Sequence, residues 1–198
     1  MSTRRIWIWI TVAVVILGIL FAIRYANMGG VNRSATQAPI SAPLALGQRA
    51  PEFTAATNQG YFDLAKTNKP VLLEVFATWC PHCQRETAVL DRLYRQYKNR
   101  VDFVGVSGSD KAMDGQSPAS EQDVLNFAAT LHAQYPLAYD GSLEVARKYL
   151  QGGFPTLVVI DRNKKVRYIS SGETSYTELN AAIEKASTTL GHGSTGSP

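Results

Sequence analysis

The run Val71–Phe76 is apolar apart from Glu74 and leads through Ala77 and Thr78 into Trp79-Cys80-Pro81-His82-Cys83, where an amphipathic helical period begins. A strand of the fully buried type that feeds straight into a helix commits the chain to an α/β arrangement. Cys80 and Cys83 are the only cysteines present. Two sulfurs at this spacing can close a small disulfide ring, with the first at a helix N-terminus. There, unpaired backbone N–H groups and the helix dipole stabilise a thiolate. A bridge closing so short a loop removes little unfolded-state entropy and is a poor staple. The pair therefore reads as a redox dithiol.

With Cys80 as N-cap, Pro81 takes the first helical position, where its fixed φ suits a helix start and its missing N–H costs nothing. His82 and Cys83 follow, with N–H groups expected to point at the Cys80 sulfur. Cys80 is then the exposed nucleophile and Cys83, one turn inward, the resolving thiol. His82 is expected to place a donor or positive charge near the thiolate. Glu74 shares a strand face with Leu72 and Phe76, so a sheet covered on both faces buries it. Burial raises a carboxyl pKa toward neutrality, which suits Glu74 to take the Cys83 proton. Glu86 lies on the helix face of Cys83, either holding a proton or water there or serving as a first-turn acid favoured by the dipole. In Gly152-Gly153-Phe154-Pro155-Thr156 a proline opens a strand, a place that calls for special geometry such as a cis bond.

Upstream, Ile6 to Ile23 is uncharged, and these 18 residues would span about 27 Å as a helix, close to the hydrocarbon thickness of a bilayer. Arg4 and Arg5 precede the run, which puts the N-terminus in the cytoplasm and the rest outside. The reading is a cytoplasmic 1–5, a single-pass anchor over 6–24 and a Gly/Ser/Ala/Pro-rich linker over 25–45. A folded domain over 46–187 and a disordered tail over 188–198 complete it. A cleaved signal peptide is the alternative for the apolar run, and Arg4-Arg5 also faintly resembles a twin-arginine signal. Each of these exports the domain, placing it on the extracytoplasmic, periplasmic side of a bacterial inner membrane, where disulfides persist.

The net charge of +4 arises entirely upstream, from Arg4, Arg5, Arg24 and Arg33, with no acidic residue before position 46. The domain is formally neutral, which argues against a nucleic-acid partner. Within it, Phe53–Thr57 and Tyr61–Asp63 suggest a hairpin, and Val101–Val106 a second central strand. Ser120 with Asp123 opens a helix with Val124, Leu125, Phe127, Ala128 and Leu131 inward. Ser142 is expected to cap a helix running through Leu143, Ala146 and Leu150. Thr156–Ile160 and Val166–Ser170 read as strands, and Ser175-x-x-Glu178 caps a last helix. The order predicts an α/β fold with a central mixed sheet flanked by helices.

Together these residues resemble the thioredoxin superfamily, and specifically its membrane-anchored TlpA/ResA-like thiol–disulfide oxidoreductases, over roughly residues 46–187. The likeness rests on Leu46-Gly47-x-x-Ala50-Pro51-x-Phe53, on Glu74, on Thr78-Trp79-Cys80-x-x-Cys83-x-x-Glu86, and on Gly153-Phe154-Pro155-Thr156. The segment near 110–140 is similar to the family's central insertion. The resemblance implies a thioredoxin-like fold and exchange of the Cys80–Cys83 dithiol with protein thiols and disulfides. It also implies a membrane redox partner, no cofactor and no metal, with cytochrome c maturation or disulfide formation and reduction as settings. It makes Pro155 cis, with Trp79, Phe154 and Pro155 lining the surface where a partner chain lies. Pro81-His82, however, is the dipeptide of DsbA-like oxidants, so the direction of electron flow stays open. Two other functions compete. A thioredoxin-fold peroxidase would need the Thr-x-x-Cys of peroxiredoxins, and position 77 is Ala. A Cu or Zn carrier would draw on Cys80, Cys83 and only three histidines, of which His192 lies in the tail.

Overall fold

The computed structural model describes residues 15–18, 21 and 43–188. The chain divides into two units, residues 1–40 and 41–198, and the second carries all the elements named below. In the first, residues 15–18 and 21 are helical and exposed. Most of the expected anchor, nearly all of the linker and nearly all of the tail lie outside the described residues. Among the described residues no helix is long and apolar enough to cross a membrane.

Seven strands form one sheet in the order β2-β1-β5-β4-β3-β6-β7. They are β1 (Thr54–Thr57), β2 (Gly60–Asp63), β3 (Val71–Phe76), β4 (Asp102–Ser107), β5 (Leu137–Tyr139), β6 (Thr156–Ile160) and β7 (Val166–Ser171). Four helices connect or follow them: α1 (Pro81–Tyr97), α2 (Glu121–Leu131), α3 (Glu144–Tyr149) and α4 (Tyr176–Thr188). β3 lies inside the sheet, parallel to β4 and antiparallel to β6, so the sheet is mixed as expected.

All six residues of β3 are buried, and their alternation divides the core. Leu72 and Phe76 join Leu90, Leu93 and Tyr97 of α1, Phe127 of α2 and Leu179 and Ile183 of α4 on one face. Val71, Leu73 and Val75 pack with Val145 and Tyr149 of α3 on the other. A fully buried Leu or Phe side chain stabilises by about 1.5–3 kcal/mol, so this double core can offset a carboxylate buried within it. Glu74 is that carboxylate, on the α1 face between Leu72 and Phe76.

Several elements depart from expectation. β4 begins and ends one residue later than predicted. Leu125 is exposed rather than inward, because α2 turns only Val124 and Phe127 fully into the core. Ser142 Oγ accepts the N–H of Glu144, the first residue of α3, at 3.2 Å, but Leu143 takes the N-cap position in a left-handed conformation, and Asp140 Oδ2 accepts from the Val145 N–H at 2.7 Å. A carboxylate is the stronger acceptor for these end-of-helix donors. β5, three residues long, has no hydrophobic run of its own to predict it. It is the strand that joins the β1–β2 hairpin to β4, and it brings Tyr135, two residues before it, over the centre of the sheet.

Candidate active site

β3 ends at Phe76, and a tight turn, in which the Cys80 N–H donates to Ala77 O at 3.1 Å, brings the chain to α1. Cys80 is the N-cap, in extended conformation, and Pro81 opens the helix as expected. Both thiols are free. Two expectations fail here. Cys80 is not freely exposed: only 5% of its surface is accessible, and that of Cys83 is 0%. The Cys80 sulfur also makes no capping bond to the first turn. Its thiol instead donates to Phe154 O at 3.7 Å. A protonated thiol is a weak acceptor with a proton to place, so it turns to the carbonyl rather than the N–H groups. Trp79 and Phe154, edge to face at 6.1 Å, stand beside it. The Trp79 indole N–H is held by Ser109 Oγ at 2.8 Å. The Phe154–Pro155 bond is cis.

Behind the dithiol are two buried carboxyl groups. Glu74 accepts a 2.8 Å hydrogen bond from Tyr135 OH at Oε2, while its Oε1 has no hydrogen-bond partner among the described residues. Its neighbour across the ladder is Gly105, where a Cβ would come within 2.5 Å of Leu137, 3.1 Å of Tyr135 and 3.3 Å of Glu74 Oε2. Glycine thus makes room for the Glu74–Tyr135 pair. Burial pushes the Glu74 pKa up to about 8, the Tyr135 hydrogen bond opposes this, and Glu86 adds to the rise. Glu86, also buried, accepts the Thr174 N–H at 2.9 Å, and its Oε1 likewise has no hydrogen-bond partner among the described residues. Its pKa is raised to about 7, again chiefly by burial. Glu86 is therefore an interior acid, not a solvated first-turn one. The Cys83 thiol is pushed far above the ordinary thiol range, first by burial and then by the charge of Glu74. Glu74 and Cys83 thus act on each other electrostatically.

The outer rim joins residues far apart in the sequence. His82 Nδ1 lies 2.5 Å from Glu173 Oε1 and 2.9 Å from Arg85 Nη2. Arg85 Nε donates to the same Glu173 oxygen at 3.0 Å, and Nη2 also donates to it. Thr78, buried in the turn before Trp79, donates to Asp123 Oδ2 at 2.6 Å, while Asp123 Oδ1 accepts the Met113 N–H at 2.9 Å. The Asp123 N–H donates to the N-cap Ser120 Oγ at 3.2 Å, as the sequence pairing predicts, while its carboxylate ties the active-site turn to the 110–120 loop. No local pattern flags Tyr135 or Glu173, which are 61 and 91 residues from their partners. Among the described residues, no three His, Cys, Asp or Glu side chains gather as a metal site.

A mixed sheet in which β3 leads into a Cys-x-x-Cys helix start, faced by a cis-proline loop, defines a thioredoxin-like redox protein. The chain belongs to the Redoxin family, whose match covers residues 45–185. It is 27% identical over 143 residues to the thiol-disulfide oxidoreductase ResA of Bacillus cereus, covering 71% of this chain and 78% of that one. It is 26% identical over 140 residues to the thioredoxin-like protein YneN of Bacillus subtilis, covering 70% and 78%. A crystal structure of a putative thiol:disulfide interchange protein DsbE from Chlorobium tepidum aligns with a TM-score of 0.62 and 28% identity, over 72% of this chain and 98% of the other.

Proposed function

We propose that the protein is a membrane-anchored, extracytoplasmic thiol–disulfide oxidoreductase acting on protein substrates. The observation that carries this is the free Cys80–Cys83 pair at the start of α1, set against the Phe154-Pro155 loop with Glu74 behind Cys83. The ResA and DsbE relatives support the same chemistry. In the reducing direction the Cys80 thiolate attacks a substrate disulfide, forming a Cys80–substrate disulfide and releasing one substrate thiolate. Cys83 then attacks the Cys80 sulfur, releasing the second substrate thiol and leaving the Cys80–Cys83 disulfide. The two electrons lost by the dithiol are those gained by the substrate. Glu74 accepts the Cys83 proton during the second attack. Trp79 and Phe154 form the apolar edge on which the substrate chain lies, with apocytochrome c as one client class.

Reduced protein should therefore reduce insulin disulfides in a turbidity assay, and Cys80→Ser should abolish that turnover. An unchanged rate in the variant would remove the reading. The anchor assignment rests on the uncharged run over 6–23. The full chain should stay with the membrane pellet through an alkaline carbonate wash, while a chain lacking residues 1–24 appears in the supernatant. Recovery of both in the supernatant counts against an anchor.

A further inference from the structure

Resting on the oxidoreductase reading, we propose that Glu173 is a positioning residue that holds His82 and Arg85 and lowers the reduction potential of the Cys80–Cys83 couple. The segment Gly172-Glu173-Thr174 is fixed to the site at each of its three residues. The Gly172 N–H donates to Pro155 O at 2.8 Å, with Gly172 at φ 91, a left-handed conformation that suits glycine. The Thr174 N–H donates to the buried Glu86 Oε2 at 2.9 Å. Between these anchors the Glu173 carboxylate meets His82 and Arg85, both on the first turns of α1. It has a partner in either state of the imidazole. A protonated Nδ1 donates to Glu173, and a bare Nδ1 accepts from Arg85, which Glu173 holds in place.

The consequence for the dithiol follows from charge. Cations beside a nucleophilic thiolate favour the reduced form and make the disulfide a stronger oxidant. Arg85, one turn into α1, is such a group and interacts electrostatically with Cys80, and His82 is another whenever its imidazole is protonated. Glu173 sets one negative charge against them, and its own carboxyl is held down at about 2, by Arg85 first and His82 second. The other acid beside this loop is Glu86, which is buried behind it. The side chains of Glu173, His82 and Arg85 are 40%, 59% and 56% exposed, so solvent and salt screening limit the effect. Glu173 thereby counters the bias that Pro81-His82 would otherwise impart.

The test is equilibration of the full-length chain with reduced and oxidised glutathione, comparing wild type with Glu173→Gln at low salt. The glutamine keeps an acceptor for Arg85 and loses the charge. The expected result is a shift of about tenfold toward the reduced protein, a rise of about 30 mV for this two-electron couple. In a His82→Ala/Arg85→Ala background the same substitution should shift the equilibrium less than about threefold, and 1 M salt should shrink the wild-type difference likewise. A merely structural role would lower the thermal midpoint and leave the potential in place. An unchanged or lowered potential in Glu173→Gln overturns the proposal, as does an undiminished shift in the double-variant background. In either case the oxidoreductase reading stands. A wild-type dithiol that does not exchange with glutathione at all overturns both.

Discussion

Cys83→Ser converts the protein into a trap, accumulating covalent adducts through Cys80 that run as slow bands on non-reducing gels and vanish with dithiothreitol. The expectation follows from the order of events at two sulfurs of unequal access. Cys80 keeps a small opening beside Phe154, whereas Cys83 has none, so only Cys80 can meet an incoming disulfide. Once the mixed disulfide forms, the group that breaks it is the neighbouring sulfur, acting at the high effective concentration of an intramolecular reaction. A serine hydroxyl does not replace it as a nucleophile toward sulfur. Release then waits for external thiol, and at millimolar thiol it should slow by at least about 10³-fold. The substitution exchanges sulfur for oxygen without changing the number of side-chain atoms, so the fold should tolerate it. The Cys80→Ser/Cys83→Ser protein should trap nothing. Adducts that form in Cys80→Ser instead would mean the two roles are reversed.

What the sequence made legible was local. The six buried residues of β3, the proline-opened helix after Cys80 and the strand Thr156–Ile160 all followed from hydrophobic runs and from residues with one strong backbone preference. The burial of Glu74 also followed, since period-two alternation places it with Leu72 and Phe76. What escaped was set by contacts distant along the chain. β5 has three residues and exists because β1 and β4 flank it, so no run of its own announces it. Tyr135 reaches Glu74 only because β5 carries that segment over the sheet. Glu173 reads as one more loop acid until the turn after β7 folds back onto α1. Sequence showed which groups have chemistry; the sheet order decided which of them meet.

The buried acid gives the second large effect, in which Glu74→Gln suppresses the resolving step and alters its pH dependence. In the wild type the rate of mixed-disulfide resolution, followed by stopped flow, should rise with pH through about 8, the value to which burial lifts Glu74. With glutamine there is no base beside Cys83, and the rise should move to strongly alkaline pH, where solvent removes the proton. At pH 8 the loss should be about 10²-fold, the low end for a positioned general base. Removing the Glu74 charge also makes the Cys83 thiol easier to ionise, since that charge helps to raise it. That change works against the loss, so a large net decrease would identify proton acceptance as the dominant role. Stability supplies an independent reading. A carboxyl near pKa 4.5 when unfolded and about 8 when folded binds more protons in the native state. Its contribution is fully present below pH 4.5, declines as pH rises, and is lost through about 8, amounting to roughly 3–5 kcal/mol. Glu86, raised to about 7, slopes in the same sense. Denaturant unfolding from pH 5 to 9 should therefore show the wild type weakening and Glu74→Gln weakening less, with Glu86 contributing to the residual slope. Tyr135→Phe separates the acid from its setting. It removes the one hydrogen bond that opposes the rise, so the kinetic midpoint should move above 8 while the base remains. A Tyr135→Phe profile identical to wild type, or a Glu74→Gln protein resolving at the wild-type rate at pH 8, would move the proton-accepting role away from Glu74.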